Sequence, residues 1–254
     1  MKKQKKKMNK RTVVFLVLSL VLLTALCIGL VLLCRGCGQT PNDEQVNTDQ
    51  PSQQEEPGNN APASVLEEVD VALDKGLQIT GIGAYTGAYV EDGSNEFVSG
   101  VLMLRVTNNG TEAIQYAEFT IPMEDTAAKF TLSTLPAGAT AILLEQSRML
   151  WDEQTVYPAP EMSLVAMFDE PLSLREDKLK IQALDGGLNV TNISGQDIDG
   201  DIIIYYKNAQ QGIFYGGITY RVRLQGGMKA DEIKQIMSDH FSATGSEVVF
   251  ITIS

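Results

Sequence analysis

Apolar and polar positions along the chain fall into three regimes. Residues 12–34 run for 23 residues without a charge. As a helix at ~1.5 Å per residue they would span about 34 Å, slightly more than a hydrocarbon core of roughly 30 Å. The pattern then collapses. From Gly38 to Ser64 there is no aromatic residue and one branched apolar residue, Val46, which is too little to bury and predicts a disordered linker over 35–64. Beyond it the chain alternates with period two. Leu102, Leu104 and Val106 share one face, and after the turn Asn108-Asn109-Gly110-Thr111 so do Ala117, Phe119 and Ile121. The pair reads as a hairpin with Asn-Gly turn chemistry. Further strands are expected around Phe130, over 141–145 and over 162–168.

Near Pro171 the pattern restarts. A strand over 188–191, the turn Asn192-Ile193-Ser194-Gly195 and a strand over 198–206 echo the unit around Asn108. Ile218, Tyr220, Val222 and Leu224 alternate with polar residues, and Val249, Ile251 and Ile253 oppose Val248 and Phe250. Only residues 230–241 break the rule: Ile233, Ile236, Met237, His240 and Phe241 fall at helical spacing and predict one short helix. The fold class is therefore mainly β: a transmembrane helix over 12–34, a linker over 35–64, and two antiparallel sandwich domains over 65–171 and 172–254, the second carrying the helix.

One segment has a recognisable relative. Leu188-Asn189-Val190-Thr191-Asn192-Ile193-Ser194, followed by Ile202-Ile203-Ile204-Tyr205-Tyr206-Lys207, resembles the FxLYD type of bacterial extracytoplasmic immunoglobulin-like domain, in which a strand, an Asn-x-Ser turn and an aromatic-ended strand recur. Lys207 stands where that family ends its motif with aspartate, and Tyr205-Tyr206 approximates the rest. The resemblance implies immunoglobulin-like sandwiches in an anchored surface protein, and carries no active site with it.

Charge sharpens the topology. Seven Lys/Arg lie in residues 1–11, a basic tail, and only Arg35 follows the apolar run closely, which predicts a cytoplasmic N-terminus and an extracytoplasmic body. Beyond Arg35 the chain holds twelve basic and thirty-two acidic residues, a balance that disfavours nucleic acid as a partner. A cleaved signal is the competing reading, but the apolar run exceeds the usual 7–15 residues and no Ala-x-Ala-like site follows. All three cysteines, Cys27, Cys34 and Cys37, sit in or beside the run. The body must therefore fold without disulfides, as suits a bacterial surface protein. Cys34 and Cys37 form a C-x-x-C in a tether, open to a disulfide, lipid attachment or no role.

Candidate chemistry is sparse. The single histidine, His240, is expected to pack beside Phe241, so a catalytic triad is not supported and no enzyme is expected. Asp197, Asp199 and Asp201 are a weak calcium candidate, because the glycine and the final acid fall at the wrong places for an EF-hand. Residues 91–96 read as a solvated loop, and the glycines of 81–87 as strand bends with no cofactor-binding role. Tyr205, Tyr206, Phe214 and Tyr215 flank a turn; adjacent strand residues point oppositely, so one of each pair should face outward as a contact surface. The chain reads as a non-enzymatic surface protein meeting a protein or cell-envelope partner, needing no cofactor. The alternatives are an accessory subunit that interacts through its membrane helix, and a lipid-anchored surface protein.

Overall fold

The computed structural model describes residues 63–254, which lie within one compact unit from Pro57 to Ser254. The expected tail 1–11, span 12–34 and linker, apart from its last two residues, lie outside the described residues. Among those described, no helix is long and apolar enough to cross a membrane. Thirteen strands follow in order: β1 (Ala63–Ala72), β2 (Leu77–Tyr89), β3 (Glu96–Asn108), β4 (Ile114–Pro122), β5 (Ala127–Leu135), β6 (Thr140–Leu144), β7 (Glu161–Met167), β8 (Leu179–Leu184), β9 (Gly187–Asn192), β10 (Ile202–Gln210), β11 (Ile213–Leu224), β12 (Ile233–Met237) and β13 (Ser246–Ile253). One 3-10 turn, Asp74–Gly76, joins β1 to β2.

The strands form three sheets. A seven-stranded sheet has the order β1-β2-β3-β6-β11-β10-β13, and two three-stranded sheets have the orders β5-β4-β7 and β12-β9-β8. In the first half, Leu102, Leu104 and Val106 of β3 meet Ala117, Phe119 and Ile121 of β4 across the layers in one buried cluster. In the second half, Leu188 and Val190 of β9 meet Ile202, Ile204 and Tyr206 of β10 in another. The mainly β, sandwich-like architecture expected from period-two alternation is what the chain adopts.

The two halves repeat one device. Each central strand ends in Val-Thr-Asn, at 106–108 and at 190–192. Both asparagines are 0% exposed. Asn108 Nδ2 donates to the carbonyls of Glu112, Leu135 and Pro136, and its Oδ1 accepts from Gly110 N. Asn192 Nδ2 donates to the carbonyls of Gln196, Met228 and Lys229, and its Oδ1 accepts from Ser194 N. A short polar side chain that satisfies four backbone groups in this way fixes a chain reversal where water has no access. The strands on either side correspond as well: Leu77 pairs with Asn108 as Leu179 pairs with Asn192, and β6 flanks β3 as β12 flanks β9.

Five expectations are corrected. The first is separation at 171: β6 and β11 pair in parallel, Ile213–Tyr215 against Thr140–Ile142, so the halves share one sheet and do not stand as two domains. Second, the turn at 108–111 is no hairpin. β3 and β4 lie in different sheets, and the turn carries the chain across layers, held by buried Asn108, which binds the carbonyls of Glu112 just beyond the turn and of Leu135 at the end of β5. Third, β3 buries both faces over residues 101–104, since Val101 and Met103 enter a third cluster with Tyr85, Tyr89 and Leu144.

The fourth correction is the helix at 230–241, which is instead turns around the edge strand β12, paired with β9. Its apolar residues fit either period locally, and the open edge of β9 decides. Ile236 packs on the second core while Ile233 and Met237 are 66% and 64% exposed. Finally, β13 does not alternate simply. Its register shifts where Tyr205 pairs with Phe250 but Tyr206 pairs with Val248, a bulge at Val249 that brings Val248 and Ile251 onto the same core.

Candidate functional site

The aromatic set lies at the junction of the halves. Tyr206 and Phe214 are buried, whereas Tyr205 and Tyr215 are only half-buried. One of each pair does point away from its neighbour, but neither outward ring forms a free surface. Tyr205 stacks on its cross-strand partner Phe250 at 4.0 Å, and Phe168 from the first half meets Phe250 edge-on at 5.4 Å. Tyr215 approaches Tyr85 of β2 at 6.5 Å. These rings couple one half to the other. Beside them a shallow cleft of about 530 Å³ is lined by Gln115, Phe168, Tyr205, Arg221, Phe250 and Thr252, among others.

Beneath the rings lies a buried charged network. The parallel ladder of β6 and β11 stops at Ile142 and Tyr215, and Glu91 supplies the next rung: its Oε1 accepts from Leu144 N at 3.0 Å and from Gly217 N at 2.8 Å. Lys207, 0% exposed on β10, donates to the carbonyls of Ser133, Gly217 and Ile218 at 2.8, 3.3 and 2.7 Å. Both groups thus hold Gly217, one by its N–H and one by its carbonyl. A side chain there is impossible without rearrangement, because a Cβ on Gly217 would collide with Thr131 O. Burial pulls the Lys207 ammonium down to about 7 against the opposing pull of Glu91. Burial likewise pushes the Glu91 carboxyl up, opposed by the backbone N–H groups of Leu144 and Gly217 and by Lys207. Residues 91–96 have the pattern of a solvated loop, and nothing local marks Glu91 as different from its acidic neighbours Asp92 and Glu96.

The remaining candidates separate. Asp199 and its neighbours do not converge on a cation. Asp197 binds Lys229 Nζ at 2.7 Å and Ala230 N at 3.0 Å, and Asp201 binds Arg223 and, at 2.9 Å, Gly226 N. These partners hold both carboxyls below the usual range, Lys229 foremost for Asp197 and the Gly226 N–H foremost for Asp201. Their oxygens bind cations and turn amides of this chain. Among the described residues, no group of three or more His, Cys, Asp or Glu is placed to hold a metal ion. His240 stacks on Tyr220 at 5.0 Å, and its Nδ1 accepts from Asn95 Nδ2 at 3.1 Å, another link between the halves.

A second open apolar feature belongs to the second half alone. Between β8 and β13 a groove of about 530 Å³ is floored by Leu179, Ile181, Leu188, Phe241 and Ile251, with Glu176, Lys180 and Glu247 on its rim. Leu174 and Ile193 stand exposed at its mouth. Neither β8 nor this groove was evident from the sequence, because β8 (LKIQAL) is short and follows a charged turn. No protein-family model, curated protein or solved structure matches this chain, so its functional reading rests on its own residues.

Proposed function

We propose that the chain is a membrane-anchored, extracytoplasmic, non-enzymatic contact protein. Residues 1–11 form its cytoplasmic tail, 12–34 its anchor and 35–64 a stalk, and the body consists of two fused immunoglobulin-like sandwiches that bind a protein or cell-envelope partner. One observation carries the reading. In a body whose first half buries both faces of its central strand over residues 101–104, the second half leaves an apolar groove of about 530 Å³ open between its layers. Uncovered apolar concavities of this size on a soluble body are characteristic of contact sites. The charge divide between the tail and the acidic body supports the orientation.

The test is made on intact cells. Protease added outside should remove the body and leave the tail and span. A short amine-reactive crosslinker should join the body to a protein or wall component. Protection of the C-terminus defeats the topology, and recovery of nothing but crosslinked copies of this chain defeats the partner-binding reading.

A further inference from the structure

The repeat shows what the groove lacks. In the first half, β1 pairs antiparallel with the outer edge of β2 and lays Val69 and Val71 onto the core, joined by Leu73 just after the strand. Under that cover Leu77 and Ile79 of β2 are fully buried. β8 is the counterpart of β2, since Leu179 pairs with Asn192 as Leu77 pairs with Asn108. No strand pairs with the outer edge of β8 among the described residues. The consequence is visible two residues along: Ile181, which corresponds to Ile79, is only half-buried, and Ala183 beyond it is exposed. The groove is therefore the position that β1 fills in the other half.

Resting on the reading of the body as a contact module, we infer that this groove accepts an extended segment of a partner protein, added as a strand along β8, with alternate apolar side chains inserted between the layers and basic residues on its outer face. Strand addition to a free edge draws affinity from main-chain hydrogen bonds and specificity from pockets for alternate side chains. Charge selects the occupant. Glu176 and Glu247 line the groove with a single base, Lys180, and the chain beyond Arg35 carries twelve basic residues against thirty-two acidic. A second copy of β1 is a poor fit, because it brings Glu67, Glu68 and Asp70 and is already paired with β2. The segment 38–64 of this chain is also unsuitable, being acidic and without alternating apolar residues.

The experiment measures binding of labelled ten-residue peptides to the purified full-length chain in nanodiscs of uncharged lipid, by fluorescence anisotropy. One peptide alternates Val and Lys, a second has the same composition with its valines contiguous, and a third alternates Val and Glu. The alternating basic peptide is expected to bind at least about tenfold more tightly than either control. Ala183→Arg, at an exposed position lining the groove, should weaken it at least about tenfold with an unchanged melting temperature. Glu176→Lys on the rim should weaken it as well, and serves should Ala183→Arg disturb the fold. Equal binding of the contiguous-valine peptide, undiminished binding by either variant, or no binding at all overturns the inference. So does self-association of the chain without peptide that Ala183→Arg abolishes, because the groove would then belong to a second copy. Failure here leaves the cell-surface crosslinking result untouched, so the two readings stand or fall separately.

Discussion

Asn108 and Asn192 do at residue scale what the turns around them cannot. Each is fully buried and each closes four backbone groups, so replacing it with alanine strands three carbonyls and one N–H in the interior. Asn108→Ala and Asn192→Ala should each cost about 2–4 kcal/mol, measured by urea denaturation. A loss under about 1 kcal/mol at either site would show that water satisfies those groups. Lys207 makes a second prediction, with a definite sign. Its folded pKa of about 7 lies below the unfolded value near 10.4, so between them the unfolded chain binds more protons and stability rises with pH. The gain is up to about 1.4 kcal/mol per pH unit. Below pH 7 the ammonium is charged in both states and the dependence disappears. Glu91 acts oppositely: its raised pKa favours the fold in acid, and that contribution is lost as pH climbs from about 4.5 through the folded value. Tyr89 and Tyr220, pushed up to about 12 by burial, add a third slope, because above pH 10 the unfolded chain ionises first and stability falls. Melting temperatures should thus rise from pH 7 to about 9.5 and then turn down. Lys207→Met should flatten the rise, and a rise of equal slope in that variant would assign it to other groups.

Elements were legible where both neighbours in space were also neighbours in pattern. Leu102, Leu104 and Val106 announced β3, and Ala117, Phe119 and Ile121 announced β4, because each set faces a continuous core. What the alternation could not tell was which strands pair, since β3 reads the same in a hairpin and at a crossing between sheets. Only the hidden bonds of Asn108 distinguish the two, and asparagine before Asn-Gly looks like ordinary turn chemistry. The repeat itself was half visible. The echo of the two turns could be read, but the shared Val-Thr-Asn gained meaning only once both asparagines were seen to bind equivalent carbonyls. β12 failed for a different reason. Its five residues are too few to separate periods of 2 and 3.6, so the free edge of β9 overrode the helical spacing. As a strand, β12 makes its own prediction. Ile236→Ala should cost about 2 kcal/mol or more, whereas Ile233→Thr should change stability by no more than about 0.5 kcal/mol. A helix packed through Ile233, Ile236 and Met237 would make the two losses similar, so equal urea midpoints would revive it.

At the scale of the whole body, the question is whether two sandwich halves sharing one sheet unfold as one. Three features say that they do. Phe214, Val249 and Phe250 from the second half are counted within the first half's apolar cluster, β6 and β11 share a ladder, and Glu91 with Lys207 extends the join around Gly217. Each couples the stability of one half to the folded state of the other, so loss of either should expose apolar surface in both. The chain has a built-in reporter for this coupling. Its single tryptophan, Trp151, packs against the first core and stacks on Tyr157 at 4.7 Å, while far-ultraviolet circular dichroism reads the strands of both halves. In the parent chain, tryptophan emission and circular dichroism should trace coincident urea transitions, the mark of two-state unfolding. Gly217→Ala forces a methyl group against Thr131 O, and the repair must move either β5 or β11, the two strands that face each other across the join. That substitution should lower stability by about 2 kcal/mol or more and pull the two curves apart, the second half melting at lower urea while Trp151 still reports an intact first core. Coincident but shifted curves would mean that the join survives displacement at Gly217 through the shared aromatic cluster alone. Separated curves already in the parent chain would return the halves to independent domains that merely touch.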